Sequence, residues 1–255
     1  TLCLGVALLS FNVFLAATAV PTAVIELDGV AFIAWSTTLF LVFAIMGGTA
    51  ASNLKARFGA RKALIGAAFV FLAGSLLVTI ANSMPELLAG RALQGLGEGV
   101  VAAICYALIP ELFPTRLVPK VLGAESVIWA LAAFVGPVLG GFLTEAVSWR
   151  AAFAANLPMG AIFIGLTLVV VPRREGLAPA TERLPLIRLA LIGLAIVVVS
   201  IASLFQNPFL IGACLLLAGA MLVLIIARDR TARARLFPTA AFNLNDPVGA
   251  GLAVV

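Results

Sequence analysis

Residues 2–24 read LCLGVALLSFNVFLAATAVPTAV, and this stretch contains no charged side chain. A helix that crosses a bilayer needs about 20 consecutive, mostly apolar residues. The segment is therefore long enough and apolar enough to span a membrane as one helix. Because it is continuously apolar and does not alternate, it predicts a helix and not a strand of a membrane barrel.

The rest of the chain has the same composition. Of its 255 residues, 63% are hydrophobic and 11% are charged, and the mean hydropathy is +1.20. Soluble domains are about a quarter charged, so this chain has too few charges to cover a surface in water. It is predicted to be an integral membrane protein.

Further segments have the length and composition of spanning helices. The eight predicted spans are residues 2–24, 30–54, 62–81, 86–109, 119–145, 151–171, 185–205 and 208–227. The predicted fold class is an all-α membrane protein. It has a six-helix bundle over residues 1–172, a cytoplasmic linker over residues 173–184, and two additional transmembrane helices over residues 185–227. Residues 228–255 are expected to form a cytoplasmic segment and, from Asp246, the start of a ninth helix.

Basic residues are divided unevenly among the predicted loops. One side receives only Arg150, and Arg91 lies within a span. The other side receives all the remaining Lys and Arg: Lys55, Arg57, Arg61, Lys62, Arg116, Lys120, Arg173, Arg174, Arg183, Arg188, Arg228, Arg230, Arg233 and Arg235. Since cytoplasmic loops carry an excess of basic residues, we expect this side and the N-terminus to be cytoplasmic in the plasma (inner) membrane. The sequence pI of 9.7 is then a topology signal, and no nucleic-acid partner is predicted.

Several chemistries are excluded by residue usage. The chain has no histidine, and its three cysteines are far apart in apolar stretches. Metal sites and haem ligation that depend on histidine are therefore absent, as are paired-cysteine metal sites. The glycines at positions 95, 97 and 99 lie inside a span and do not form a phosphate loop. We predict no metal, no cofactor and no enzymatic activity.

Three ionisable side chains fall well inside predicted spans: Arg91, Glu98 and Glu125. A charge at the centre of a spanning helix costs about 2.5–3.5 kcal/mol on insertion scales. These groups are therefore expected to face the protein interior or a water-filled cavity. The i, i+3, i+7 spacing places Arg91, Gln94 and Glu98 on one face of the fourth helix. Glu98, near mid-membrane, is the leading candidate for a proton or substrate site.

Alternatives remain open for the other polar residues. Arg91 either lines a cavity, belongs to a buried structural network or extends to the interface, and water or Gln94 could bridge the roughly 10 Å to Glu98. Glu125 is either a cavity residue or an interfacial carboxylate near basic side chains. Asn12, midway along the first span, is expected to hydrogen-bond a neighbouring helix or a ligand.

Small residues recur at four-residue spacing in two spans. Gly95 and Gly99 form a GxxxG pair in the fourth span, and Ala132, Gly136 and Gly140 continue the pattern in the fifth. Without a strong hydrophobic drive between helices in lipid, such stripes allow the close backbone approach on which packing depends. We expect both helices to pack closely against neighbours.

Three motifs resemble those of the major facilitator superfamily. Residues 91–97, RALQGLG, resemble its helix-4 motif. Residues 123–141 resemble its helix-5 antiporter motif, through Gly123, Gly136, Pro137, Gly140 and Gly141. Residues 54–62, LKARFGARK, resemble its cytoplasmic loop between helices 2 and 3, through Leu54, Arg57, Gly59, Arg61 and Lys62.

Other segments resemble the fourteen-helix drug:proton antiporter branch of this superfamily. They are Pro21-Thr22, Ser148-Trp149-Arg150 and Asn156-Leu157-Pro158. That branch inserts an extra helix pair between two six-helix halves, so the resemblance implies a second half beyond Val255. It implies a secondary transporter that exports drugs or amphipathic small molecules by alternating access, coupled to protons. Its implied partners are the bilayer, a small-molecule substrate and protons, and the implied state is a monomer.

The chain departs from the family pattern at two informative positions. Ala56 stands where the family loop carries an aspartate, and Asn12 stands where the branch often has an aspartate. An asparagine cannot carry a proton, so proton coupling would need another carboxylate, and Glu98 is the leading candidate. The alternative function is export of one specific metabolite without proton coupling, and a membrane-embedded enzyme ranks last.

Overall fold

The computed structural model describes residues 1–172, 186–202, 205 and 207–230, which are helical apart from short connections. The chain divides into two compact units, Thr1–Thr181 and Glu182–Val255. Within the described ranges, 7 helices are long and apolar enough to cross a membrane. The predicted all-α membrane fold is confirmed.

The helices of the first unit run back and forth along a bundle. They are α1 (Leu2–Glu26), α2 (Ile33–Phe58), α3 (Ala60–Thr79), α4 (Met84–Leu112), α5 (Val118–Ala146), α6 (Trp149–Ala154) and α7 (Asn156–Val170), with a 3₁₀ turn at Val30–Phe32 before α2. The second unit contains α8 (Leu186–Ala202) and α9 (Pro208–Arg230), which pack against each other. The apolar part of α8, Ala190–Ala202, is shorter than a full span.

The sixth predicted span is divided into two helices. The sequence predicts one helix over residues 151–171, and Trp149–Val170 is long and apolar enough to form one span. The helical hydrogen bonding is interrupted at Ala155, between α6 and α7, although Ala155 keeps right-handed helical backbone angles (φ −60°, ψ −22°). Pro158 has no backbone N–H and cannot donate to the carbonyl of Ala154, four residues earlier, which favours a break here. Asn156 is consequently the first residue of α7.

Some of the predicted features lie outside the residues or side chains that the structure describes. They are the linker 173–184, the ninth helix from Asp246, and the basic side chains Arg173, Arg174, Arg183, Arg188, Arg230, Arg233 and Arg235.

Basic side chains of the first unit collect at one end of the bundle, which we call the basic end. Lys55 ends α2, Lys62 begins α3, Arg116 lies between α4 and α5, and Lys120 begins α5. A cavity of about 1000 Å³ opens here, lined by residues from 1–3, 52–60, 107–113, 117–124 and 170–172. These segments include the starts of α1, α3 and α5 and the ends of α2, α4 and α7. The five helices α1 to α5 therefore alternate in direction along the bundle.

Close packing around α4 depends on its glycines. A Cβ added at Gly95 or Gly99 would overlap a backbone carbonyl oxygen of α2, that of Phe40 or Ala44 respectively. A Cβ at Gly97 would lie 2.5 Å from the Ala67 carbonyl oxygen of α3. Backbone carbonyls cannot turn aside, so only glycine permits α2 and α3 to approach this closely. The close packing predicted from the GxxxG pair is confirmed.

The glycines of α5 fall on different faces of that helix. A Cβ at Gly136 would lie 2.7 Å from Phe14 Cβ of α1, and one at Gly140 would overlap the Thr18 hydroxyl. Positions 123 and 141 face open space. The stripe at positions 136 and 140 therefore packs α5 on α1, whereas the other two glycines of the motif contribute no close contact within the described bundle.

Two apolar clusters fill the interior at different depths. One, towards the basic end, includes Leu8, Phe71, Val100 and Phe163. The other, towards the opposite end, includes Leu15, Val78, Leu87 and Phe153. Each helix that contributes to both clusters carries polar residues between its two contributions. The interior is thus layered, with a polar layer between two apolar ones.

Candidate functional site

We call this middle layer the polar belt. Its side chains, all buried, are Asn12 of α1, Ser75 of α3, Arg91, Gln94 and Glu98 of α4, and Asn156 of α7. They include all the residues that the sequence analysis placed on the polar face of the fourth helix, together with Asn12. Apolar clusters lie on both sides of the belt along the bundle axis.

A chain of hydrogen bonds joins the carboxylate of the belt to two asparagines. Glu98 is 1% exposed, and its Oε2 accepts a hydrogen bond from Asn12 Nδ2 at 2.8 Å. Asn12 Oδ1 in turn accepts from Asn156 Nδ2 at 3.0 Å. Two oxygens, Glu98 Oε1 and Asn156 Oδ1, have no hydrogen-bond partner among the described residues. The chain links α4, α1 and α7.

A second network holds the guanidinium. Arg91 is 2% exposed, and its Nη1 donates to Gln94 Oε1 at 2.8 Å. Gln94 Nε2 then donates to Ser75 Oγ at 2.9 Å. The Arg91 Cζ lies 4.3 Å from the centroid of the Phe40 ring and 5.9 Å from that of Phe153. Arg91 is thus an interior residue and does not extend to the interface.

The two charges of the belt belong to separate networks. Gln94 hydrogen-bonds Arg91 and Ser75. It does not form the bridge to Glu98 that the sequence left open. Seven residues of helix separate Arg91 from Glu98 along the axis by about 10 Å, and the ion pairs found among the described residues do not include either group. Glu98 can therefore take up or release a proton without breaking a salt bridge.

Glu125 of α5 is also buried. It is 2% exposed, and neither carboxylate oxygen has a hydrogen-bond partner in the described part of the chain. This position agrees with an interior residue and not with an interfacial carboxylate near Arg116 or Lys120. It shares no hydrogen bond with the polar belt.

The loop between α2 and α3 lies at the basic end. Gly59 joins the two helices with φ of 78°, a left-handed conformation that favours glycine. Lys55 forms an ion pair with Glu111 of α4. Leu54, Arg61 and Lys62 flank this connection. Ala56, which stands where the family loop carries an aspartate, lines the cavity of the basic end together with Ser52. Arg57 lies with Cζ 5.3 Å from the Phe58 ring centroid.

The opposite end of the bundle is fastened by one carboxylate. Glu26, at the end of α1, accepts hydrogen bonds from Trp149 Nε1 at 2.8 Å and Arg150 Nη1 at 2.5 Å. Arg150 Nη2 also donates to the Ala81 carbonyl oxygen at 2.8 Å. These contacts tie α1 and the end of α3 to the start of α6.

Sequence reasoning missed several partners of the site. Ser75, Phe40 and Phe153 lie in apolar stretches that contain no motif, so nothing in the sequence distinguishes them. Asn156 was noted only as part of a family resemblance. A usable signal was present there, because a buried amide directly before a proline-containing first turn needs a hydrogen-bond partner.

The sequence of the chain was compared with protein families. The Major Facilitator Superfamily matches over residues 2–227. The chain belongs to this superfamily. As a superfamily member with several membrane-spanning helices, it is a multi-pass membrane protein of a transporter family.

Individual superfamily members give a consistent comparison. The chain is 33% identical over 246 residues to a probable multidrug-efflux transporter of Mycobacterium tuberculosis, covering 94% of this chain and 52% of that protein. It is 33% identical over 147 residues to the multidrug transporter protein MdtP of Bacillus subtilis, covering 58% and 27% respectively. The chain thus spans about half the length of the first of these relatives.

Among solved structures, the fold is similar to that of the proton:xylose symporter XylE. The TM-score is 0.60 with 16% identity, over 90% of this chain and 53% of that one. At this identity the likeness concerns the fold alone.

Proposed function

We propose that the whole protein is a proton-coupled efflux transporter of drugs or other amphipathic small molecules, which works by alternating access. Glu98 is its proton-carrying group in this half. The observation that carries the proposal is a carboxylate halfway along α4 that is 1% exposed, has no ion pair with any described residue, and accepts a hydrogen bond from Asn12. Ionisable residues at this depth in a membrane mark proton or substrate pathways.

Two comparisons support the efflux part of this proposal. The relatives from Mycobacterium tuberculosis and Bacillus subtilis are both named as multidrug transporters. The motif glycines at positions 136 and 140 also pack α5 closely on α1. We therefore propose small amphipathic molecules as substrates, with the lipid bilayer and protons as the other partners.

The position of Glu98 supports the coupling part. The resembled branch often has an aspartate where this chain has Asn12, and Asn12 and Glu98 are hydrogen-bonded to each other. The carboxylate is therefore available at the same contact between α1 and α4, contributed by the other helix. The side chain that replaces the acid on α1, Asn12, thus lies with its Nδ2 2.8 Å from the Glu98 carboxylate.

Orientation is also part of the proposal. The basic end, with Lys55, Lys62, Arg116 and Lys120, would face the cytoplasm of a plasma (inner) membrane. The N-terminus of α1 lies at the same end and would be cytoplasmic. Apolar clusters on both sides of the polar belt would be rearranged alternately, so that Glu98 exchanges protons with one side at a time.

The test is transport by the full-length protein in proteoliposomes. A substrate dye should accumulate when the interior of the vesicles is made acidic, because protons then leave as the dye enters, and collapse of the gradient should stop this accumulation. Glu98→Gln, which cannot ionise, should reduce gradient-driven transport at least about ten-fold, within the range of coupling free energies between sites. Gradient-driven transport at the wild-type rate in Glu98→Gln would show that Glu98 is not the coupling group.

A second function is favoured by one observation. The family aspartates are absent at both Asn12 and Ala56, which fits an exporter of a single metabolite without proton coupling. This second function would be favoured by a transport rate that does not depend on the proton gradient, together with one tightly bound ligand in a substrate screen.

A further inference from the structure

The hydrogen bonds from Glu98 to Asn12 and from Asn12 to Asn156 form one directed chain. An ionised carboxylate can only accept hydrogen bonds, whereas a primary amide has one end that donates and one that accepts. Glu98 therefore fixes Asn12 with its Nδ2 towards α4. The Asn12 carbonyl then faces α7, and Asn156 must present its own Nδ2 to it.

This direction leaves a specific group unpaired at the far end of the chain. With Asn156 Nδ2 engaged, Asn156 Oδ1 is buried and has no hydrogen-bond partner among the described residues. An unpaired acceptor in a buried site is costly. With Glu98 ionised, the orientation of both asparagines is thus fixed, and the cost of the unpaired asparagine oxygen falls on α7.

Protonation of Glu98 permits the opposite direction. A proton bound to Oε2 forms an O–H that can donate to Asn12 Oδ1 once this amide turns over. Asn12 Nδ2 then donates to Asn156 Oδ1, and the NH₂ of Asn156 becomes the free group. Protonation of Glu98 on α4 would thereby leave Asn156 of α7 with an unpaired NH₂ donor in place of its unpaired Oδ1 acceptor.

The location of Asn156 gives this exchange a structural consequence. Asn156 is the first residue of α7, directly after the turn at Ala155. Pro158 of the same turn has no backbone N–H to donate to the carbonyl of Ala154. α1, which carries Asn12, packs on both α4 and α7. A change of donor and acceptor at Asn156 therefore acts on the first turn of α7, where the helical hydrogen bonding is interrupted.

We propose that Asn12 and Asn156 are positioning residues that report the protonation state of Glu98 to the first turn of α7, by reversing the direction of their hydrogen bonds. The inference rests on the proposed proton-carrying function of Glu98. It assigns to Asn156 an effect on coupling that its distance from the proton would not suggest.

Other titratable groups near Glu98 are few. Arg91 acts on it through space along α4. In the described helices that pack on α4, Glu125 of α5 is the titratable residue within the span, and Cys105 and Tyr106 lie on α4 itself. The remaining titratable side chains of these helices lie near helix ends: Cys3, Glu26, Lys55, Arg57, Arg61, Lys62, Glu86, Glu111, Lys120, Glu145 and Arg150.

The experiment measures substrate exchange by the full-length protein in liposomes as a function of pH. Asn156→Leu and the smaller Asn156→Ala remove both donor and acceptor. In each variant, the change in exchange rate across the pH range should be at least about five-fold smaller than in the wild type. Asn156→Ser should restore part of the pH dependence, because a hydroxyl both donates and accepts. Thr167→Val, which removes another buried polar group of α7, is the matched control and should keep the wild-type profile.

Infrared spectroscopy separates the proposal from a structural effect. The protonated-carboxyl band that is lost in Glu98→Gln should still titrate in the Asn156 variants. In the unmodified protein, the side-chain ¹⁵N resonances of Asn12 and Asn156 should change with pH together with that band. The inference would be overturned if the pH dependence of exchange kept its wild-type shape in the Asn156 variants. It would also be overturned if the asparagine resonances did not change over the pH range in which the carboxyl band titrates. If Glu98→Gln itself keeps gradient-driven transport, the proposed function of Glu98 fails instead.

Discussion

Asn12 donates a hydrogen bond of 2.8 Å to Glu98, and this contact joins the midpoints of α1 and α4 inside the bundle. Neither residue has an ion-pair partner among those described. The pair lies between two apolar clusters, so water from either end cannot reach it without movement of packed side chains. A carboxylate held by an amide in this way retains both of its protonation states, since the amide can act as donor or acceptor.

Because Asn12 and Glu98 are in direct contact, we expect the acidic group to function from either of the two positions. Glu98→Gln alone should lose gradient-driven transport. The double variant Asn12→Asp/Glu98→Gln places the acid on α1 and the amide on α4, and it should recover a substantial part of the loss. The measurement is the initial rate of proton-driven dye transport in proteoliposomes. A double variant no better than Glu98→Gln would show that the coupling depends on more than this one contact.

The packing of α5 on α1 makes a second prediction. Gly136→Leu or Gly140→Leu should impair transport severely while the protein still inserts, because overpacking costs about 1–3 kcal/mol and biases a balance between two conformations. Gly141→Leu is the control, since nothing lies within 4 Å of a Cβ at that position. Transport and membrane content are measured side by side. Normal transport in both Gly136→Leu and Gly140→Leu would show that this stripe does not limit the transport cycle.

The helices and their order could be predicted from the sequence because lipid imposes a simple rule. A span must satisfy its backbone within one helix, so length and apolarity locate each of the first five helices. The single span predicted here has the length and apolarity found in Trp149–Val170, but the interruption of its hydrogen bonding at Ala155 was not predicted. Its local cause, Pro158, was visible, but a proline in a first turn is also compatible with an unbroken helix.

The candidate site was predictable in part. Arg91, Gln94 and Glu98 share a face because helical periodicity fixes their directions. The partners of that face come from other helices, and periodicity does not say which helices are neighbours. For this reason the sequence leaves open whether water or Gln94 bridges Arg91 and Glu98, whereas in the structure Gln94 donates to Ser75. Asn156 required the same knowledge of neighbours.

The sidedness of the bundle is a third prediction. In a background without reactive cysteines, a cysteine in place of Lys62 should react with an impermeant reagent only from the cytoplasm. One in place of Glu86 should react only from outside. The reason is the excess of basic residues at the end that carries Lys62. Intact cells and inside-out vesicles give the two arms of the measurement, and reversed labelling would discard the proposed orientation.

The last prediction concerns the burial of Arg91. Its guanidinium donates to Gln94 and lies 4.3 Å from the Phe40 ring centroid. A lysine keeps the charge but loses the planar group that stacks and donates in two directions. Arg91→Lys should therefore lower the stability by about 1–3 kcal/mol, because Gln94 Oε1 loses its guanidinium donor in a buried site.

Arg57→Lys provides the matched control for this substitution. Arg57 also lies over a phenylalanine ring, with Cζ 5.3 Å from the centroid of Phe58, but it is exposed at the basic end. Water already solvates its charge, so its replacement should leave the melting temperature nearly unchanged. The two variants are compared by thermal unfolding of the purified protein in detergent. Equal melting temperatures would mean that the contacts of the buried guanidinium with Gln94 and Phe40 contribute no more to stability than the exposed contact of Arg57.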